Sequence, residues 1–340
     1  MGETDGRVRL PARRSPGALV YAGSQPGASQ LVGRQRGAGR RNRLGRREAM
    51  AGYLFITPAM VGLVGLIAFP VLFALYISFT NYNFIHMQFV GLHNYSKLVQ
   101  DPLFWKSLGV TWYYVLVSIP LNLVVGLALA MLLNRKTRGI GIFRTVYYLP
   151  SLVGGVAVSL LFLWLLNPNF GLINYLLSLV HVQGPQWIFS ETWVIPAMIL
   201  MSLWGVGGSM LINLAALQGV PTELTEAARI DGASRPRILW HITLPMISPV
   251  ILFNLIMGII GSFQIFTQAY VMTSGGPNNA SLFYVLYLYE NAFEFFKMGY
   301  ASAMAWVMLV MLLVLTLLVF RSSNAWVFYQ SELQRGGGRS

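Results

Sequence analysis

The chain has 340 residues, 55% hydrophobic and 10% charged, with a net charge of +13 and no cysteine. Soluble domains carry about 25% charged residues, so this composition, with a mean hydropathy of +0.58, describes a polytopic membrane protein and not a globular enzyme. The absence of thiols excludes disulfides, thiolate zinc clusters and cysteine nucleophiles. The positive charge is no nucleic-acid signature either, because 11 of the 24 Lys and Arg residues lie before Ala51.

In chain order, residues 1–49 come first, rich in Gly and Arg ("VGRQRGAGRRNRLGRRE"). They have no apolar period and are expected to form a disordered basic cytosolic tail. No apolar stretch with a small-residue cleavage site lies near the start, so this is not a secretory signal. A membrane helix needs about 20 mostly apolar residues. Six stretches qualify within residues 50–325: about 53–79, 110–133, 145–166, 193–217, 246–271 and 301–320. The expected fold is therefore all-α, a polytopic membrane protein with six transmembrane helices. Residues 172–180 ("LINYLLSLV") are too short to span and read as a short external or re-entrant helix; residues 326–340 form a short C-terminal tail.

Charge then sets orientation. With the N-terminus inside, the tail, 134–144, 218–245 and 321–340 hold 21 of the 24 Lys and Arg residues. The outside loops hold Lys97, Lys106 and Lys297. Positive charge collects on the cytosolic side, so both termini are expected in the cytosol.

Several chemistries are missing. A phosphate-binding loop needs Gly-Lys followed by Ser or Thr, and none of the four lysines follows a glycine. His86, His93, His181 and His241 are scattered, with no His-Glu-x-x-His. "GGSML" (Gly207–Leu211) is not a nucleophile elbow. No charged residue lies deep in a predicted span, which disfavours proton relays and voltage sensors. The chain is read as no enzyme, with no metal site and no energy source of its own. A channel, a receptor or a transporter driven by a partner remains.

The segment 218–245 stands apart, with six charged residues from Glu223 to Arg237 between apolar runs. Thr222 is placed to cap a helix whose first turn carries Glu223 and Glu226. Leu224, Ala227 and Ala228 give it a small apolar face open to close approach. Gly232 is placed to end it in a left-handed conformation. Ser234 can cap a second short helix before Pro245 leads into the fifth span.

The string Glu226-Ala227-Ala228, three residues, Gly232, nine residues, Ile242, one residue, Leu244-Pro245 resembles the EAA motif of permease subunits of binding-protein-dependent ABC importers. "ITPAMVGLVGLIAFPVLFALYISFTNYN", "FVGLHNYSKLVQDPLFWKSL", "NPNFGLINYLL" and "VMTSGGPNNAS" resemble the sugar-permease (MalF/UgpA-like) branch of that family. The resemblance covers most of residues 50–320 and none of the tail before Arg46. It implies the type I importer permease fold in a bacterial or archaeal cell membrane. It also implies a heterodimer with a second, homologous permease, two ABC ATPase subunits beneath, and an external solute-binding protein that delivers the sugar. ATP and Mg would be bound by the ATPase subunits and not by this chain, and lipid, not nucleic acid, would surround it. The coupling residues so implied are Glu226, Ala227, Ala228, Arg229, Asp231, Gly232, Leu244 and Pro245, on a helix seated in a cleft of one ATPase.

Sugars are held by hydroxyl-pairing groups and aromatic faces in a watery cavity. Candidates in the fourth span are Ser202, Trp204, Gly205, Gly208 and Ser209. Those in the fifth are Asn254, Ser262, Phe263, Gln264 and Gln268. Small residues here serve equally well as helix-packing contacts. Asn122 and Asn213 are expected to bond between helices. A permease for a phosphate ester or a polyamine would place basic groups or carboxylates in these two spans. Neither occurs, which favours a neutral sugar or polyol over glycerol phosphate. A passive channel or receptor would have no reason to keep the EAA spacing.

Overall fold

The computed structural model describes residues 38–135 and 137–328, with side chains from residue 48 onward. The chain divides into two compact units, Met1–Ile67 and Ala68–Ser340. The described part of the first is α1, Ala38–Gly62, continued into a π-helical stretch, Leu63–Ala68. The expected disordered tail, 1–49, is corrected over its last residues: α1 starts at Ala38, and residues 1–37 lie outside the described part. Extending a helix already nucleated by the apolar span fixes one residue per added hydrogen bond, so a polar prefix can be carried along.

The second unit contains α2 (Phe69–Ser78), α3 (His93–Gln100), α4 (Pro102–Leu133), α5 (Ile140–Tyr148), α6 (Gly155–Leu165) and α7 (Leu172–Leu179). There follow α8 (Val194–Ser202), α9 (Gly207–Gln218), α10 (Thr222–Ile230), α11 (Arg235–Ile238) and α12 (Leu244–Phe263). Then come α13 (Thr267–Met272), α14 (Tyr284–Tyr289) and α15 (Met298–Ser323). Among the described residues the only extended pairing is the bridge Thr80–Phe89.

Among the described residues, four helical stretches are long and apolar enough to cross a membrane: Glu48–Ser78, Pro102–Leu133, Arg235–Met272 and Met298–Ser323. The third and fourth expected spans are broken. Ile140–Leu152 meets Gly155–Leu165 at 98°, and Val194–Gly205 meets Gly207–Gln218 at 48°. The crossings number six if each bent pair counts as one. The breaks follow from composition. Pro150 lacks an N–H, and glycines at 154, 155, 205, 207 and 208 give up backbone restraint where a helix needs it. The short helix expected at 172–180 is α7.

The long helix α4 organises the core. Its Phe104 and Tyr114 join the cluster shared with α6, α8, α13, α14 and α15. Val115 and Ile119 pack with Ile259 and Phe263 of α12, and Ala130 and Leu133 with Met210 and Leu214 of α9. Gly126 makes the α4–α9 crossing close: a Cβ there would sit 2.5 Å from Ser209 Oγ, the small-residue approach usual between membrane helices. The asparagines join helices as expected. Asn122 Nδ2 donates to Ser202 Oγ at 2.8 Å, and Asn254 Nδ2 donates to Asn213 Oδ1 at 2.9 Å in a buried pair.

The start of α4 is tied to α14 and α15 by one carboxylate. Asp101 caps α4 by accepting from the Leu103 N–H at 2.9 Å. Its other oxygen accepts from the Tyr287 and Tyr300 hydroxyls, both at 2.5 Å. Burial works against its ionisation, but the two phenols and the N–H groups of Leu103 and Phe104 outweigh it and hold Asp101 below the usual carboxylate value. A depressed folded pKa stabilises fully above the unfolded value, about 3.9, and the contribution is lost as pH falls through the lowered one. Asp101→Asn keeps a good capping residue but loses the charge. It should cost about 1 kcal/mol at pH 7 after discounting for exposure. Thermal unfolding of the two proteins should differ at pH 7, begin to converge only as pH falls below about 4, and coincide once pH has passed below the lowered folded value. A gap that is the same at both ends of that range contradicts this account.

Candidate functional site

The first feature is the short helix α10. Its N-cap position is Pro221, with no side-chain cap; Thr222, expected to be the cap, is the first helical residue. Proline's fixed φ and missing N–H suit a helix entry, which displaces the threonine by one. Glu223 in the first turn and Arg229 in the last both complement the helix dipole. Ser234 holds the N-cap position of α11 without a side-chain bond.

The C-terminus of α10 is closed tightly. Gly232 lies at φ +79°, its N–H donates to Arg229 O at 3.0 Å, and the Ala233 N–H donates to Ala228 O at 2.9 Å. These two bonds around a left-handed glycine form a Schellman closure. No residue of α10 is buried. Glu226, Ala227, Arg229 and Asp231 are exposed, and Ala228 is half-buried. Ile230 is 87% exposed. Leu244 packs onto the α4–α9 cluster, and Pro245 opens α12. An exposed helix with a small face is thus rigidly terminated and joined through α11 to the helix that crosses the bundle. The chain runs from α10 through α11 into α12 without a long loop.

The second feature is a cavity of about 800 Å³ inside the second unit. Both helix breaks open onto it: Pro150, Ser151 and Val153 from one, and Trp204, Gly205 and Val206 from the other. Interrupted helices at membrane depth are tolerated where they line such a space, and their loosened backbone offers polar groups to a ligand. Of the expected residues, Ser202, Trp204, Gly205, Ser209, Asn254, Ser262, Gln264 and Gln268 line it. Phe263 does not: it is fully buried, with its ring edge-on to Trp112 at 5.2 Å. Gly208 also lies outside the lining. One step along a helix turns a side chain by about 100°, enough to move it from cavity wall to packing face.

Sequence reasoning missed Tyr114, Ser151 and Thr267, and it gave Asn122 only its interhelical bond; all four line the cavity. The signal for Ser151 was present in the Pro150 and Gly154–Gly155 pair. Polar capacity in the wall is partly spent. Ser202 Oγ donates to Ile199 O at 2.6 Å while accepting from Asn122, and Ser209 Oγ donates to Val206 O at 3.0 Å. Phe162 meets Trp204 edge-on at 5.6 Å and fixes that indole at the wall. Among the described residues, no Asp, Glu, Lys, Arg or His lines the cavity.

A helical bundle with several membrane-length helices, a polar cavity at two helix breaks and an exposed short helix between the fourth and fifth apolar stretches describes a multi-pass membrane permease. Residues 122–326 match the family described as binding-protein-dependent transport system inner membrane component, and the chain belongs to that family of ABC transporter permeases. It is 42% identical over 308 residues to the probable ABC transporter permease protein YesP of Bacillus subtilis (strain 168), covering 89% of this chain and 99% of that protein. It is 33% identical over 291 residues to the lactose transport system permease protein LacF of Rhizobium radiobacter, covering 84% and 97%. Its fold matches a solved bacterial ABC transporter involved in the import of the acidic polysaccharide alginate, with a TM-score of 0.74 at 21% identity, covering 84% of this chain and 99% of that one.

Proposed function

We propose that this chain is the membrane subunit of an ATP-driven importer that translocates a neutral sugar, mono- or oligosaccharide, handed over by an external solute-binding protein. The observation that carries this is the cavity wall of amides, hydroxyls and aromatic rings, with no Asp, Glu, Lys, Arg or His among the described residues that line it. Hydroxyls of a sugar find partners there, whereas a phosphate ester, a uronate or a polyamine would enter as an unpaired charge, which is costly. Relatives carry names for lactose and for trehalose and maltose transport, in keeping with this class of cargo. A passive channel has no use for an exposed, rigidly closed lever helix.

On this reading the chain pairs with a second, related permease. Helix α10, with Glu226, Ala227 and Ala228, seats in a cleft of one of two ATPase subunits, which bind ATP and Mg. Six spans cross the cell membrane of a bacterium or archaeon, with both termini on the ATPase side. Closure of the ATPases swings α10 and, through Leu244 and Pro245, tilts α12 along the cavity wall.

The test is uptake into proteoliposomes containing both permeases, the ATPases and the binding protein, across a panel of labelled neutral sugars, with and without ATP. ATP-dependent uptake is expected for the wild type. Asn122→Asp should reduce it at least about tenfold, because an acceptor-only charge cannot donate to Ser202 and is poorly solvated in the wall. Uptake that needs no ATP, or that ignores the introduced charge, defeats the reading.

A further inference from the structure

We infer that Phe266, Tyr270, Tyr289 and Phe293 form an aromatic entry lane that stacks the pyranose rings of an oligosaccharide and guides it into the cavity. This rests on the sugar-importer reading. Phe266 lines the cavity. Tyr270 stacks on it with centroids 5.4 Å apart and planes 17° apart. Tyr289 packs against both, at 4.9 and 5.5 Å. Phe293 continues from Tyr289 at 5.2 Å. Exposure rises along the path: Phe266 and Tyr289 are half-buried, whereas Tyr270 is 41% and Phe293 52% exposed. The rings therefore run without a gap from the cavity wall to the surface.

The lane lies at the end of the bundle away from α10. Helix α12 starts beside the lever segment and its 20 residues carry the chain about 30 Å before Phe266. The return helix α15 closes the loop, since Phe328 N–H beyond its end donates to Ser248 Oγ near the start of α12 at 2.9 Å. Cargo arriving from a binding protein meets that far end first.

The chemistry fits linked pyranoses. The C–H face of a sugar ring lies flat on an aromatic ring, while its hydroxyls stay free for polar partners at the edge. Gln264 and Gln268 flank the inner end of the lane and line the cavity. Glu290 and Glu294 occupy the π-helical turn between Tyr289 and α15. Carboxylates accept hydroxyl hydrogens and repel acidic sugars. Several rings in succession offer more area than one hexose covers, so the lane favours chains over monosaccharides.

The experiment uses the complete transporter with saturating binding protein and reads ATP-dependent uptake per assembled complex. Probes are mono- to tetrasaccharides of gluco, galacto, manno and xylo configuration. Tyr270→Ala and Phe293→Ala, both at exposed positions, should lower the ratio of oligosaccharide to monosaccharide uptake roughly three- to tenfold each. Tyr270→Trp should restore the ratio. The binding protein's own affinity is untouched by these changes, so it cannot produce the effect. An unchanged ratio, an equal loss for all lengths, or a Trp variant as poor as Ala overturns the lane while leaving the sugar reading intact. A wild-type transporter that imports no sugar of the panel overturns the sugar reading itself, and the lane with it.

Discussion

Gly207→Val is expected to abolish uptake and sharply reduce the amount of correctly assembled protein. A Cβ at this position would stand 2.3 Å from Tyr147 O and 2.8 Å from Tyr148 Cα. Both are backbone atoms, so no side-chain rotation relieves the clash. The two broken helices must then move apart where both open onto the cavity. Overpacking costs typically 1–3 kcal/mol, and here the cost should exceed that range because the neighbour cannot yield. The control is Gly208→Ala, one residue on, where a Cβ meets nothing within 4 Å. Alanine there should stabilise the helix by up to about 1 kcal/mol and leave uptake near normal. The readouts are the yield of monodisperse complex in detergent and uptake per inserted complex. A Gly207→Val protein that transports like the wild type would show that the contact between the breaks is dispensable.

The apolar lengths made the membrane class and the approximate spans legible, because each crossing needs its own run of apolar residues. The breaks inside two of those runs were not legible as breaks. Hydropathy averages over a window, and the same Pro and Gly residues serve as gentle kinks in other membrane helices. The closure of α10 could be read from Gly232, since only a left-handed residue lets the chain turn back there. Its entry could not be read: Pro221 and Thr222 are both plausible starts, and the backbone φ of proline won.

The candidate site was legible by composition and not by direction. Ser202, Gln264 and Gln268 belong to helix stretches that reach the cavity, but Phe263 and Gly208 sit on the same stretches and face elsewhere. A sequence gives the angular spacing of side chains, whereas helix rotation is set by neighbours, here the Trp112 ring against Phe263. The aromatic lane was invisible for a different reason. Phe266 and Tyr270 stand some twenty residues from Tyr289 and Phe293, and only the turn through α14 brings the two pairs together.

The second large effect is expected at Gly232. Gly232→Val should leave the protein in the membrane at normal yield but uncouple it, with uptake reduced at least about tenfold. Nothing lies within 4 Å of a Cβ built there, and φ is +79°, so the penalty is confined to the residue's own backbone. A left-handed conformation costs an ordinary residue roughly 1–2 kcal/mol, and a β-branched one resists it further. The strain is relieved by giving up the bonds from Gly232 to Arg229 and from Ala233 to Ala228. No residue of α10 is buried, so little tertiary packing holds the helix once its closure is lost, and on the proposed reading the face bearing Glu226, Ala227 and Ala228 turns away from the ATPase. Gly232→Asn provides the discriminating control, because asparagine tolerates the left-handed region far better than valine does. Co-purification of the ATPase and ATP-dependent uptake should fall together in the valine variant and recover together in the asparagine variant. If both substitutions reduce uptake equally, side-chain bulk at the proposed ATPase contact is responsible, and the backbone account of the closure is wrong.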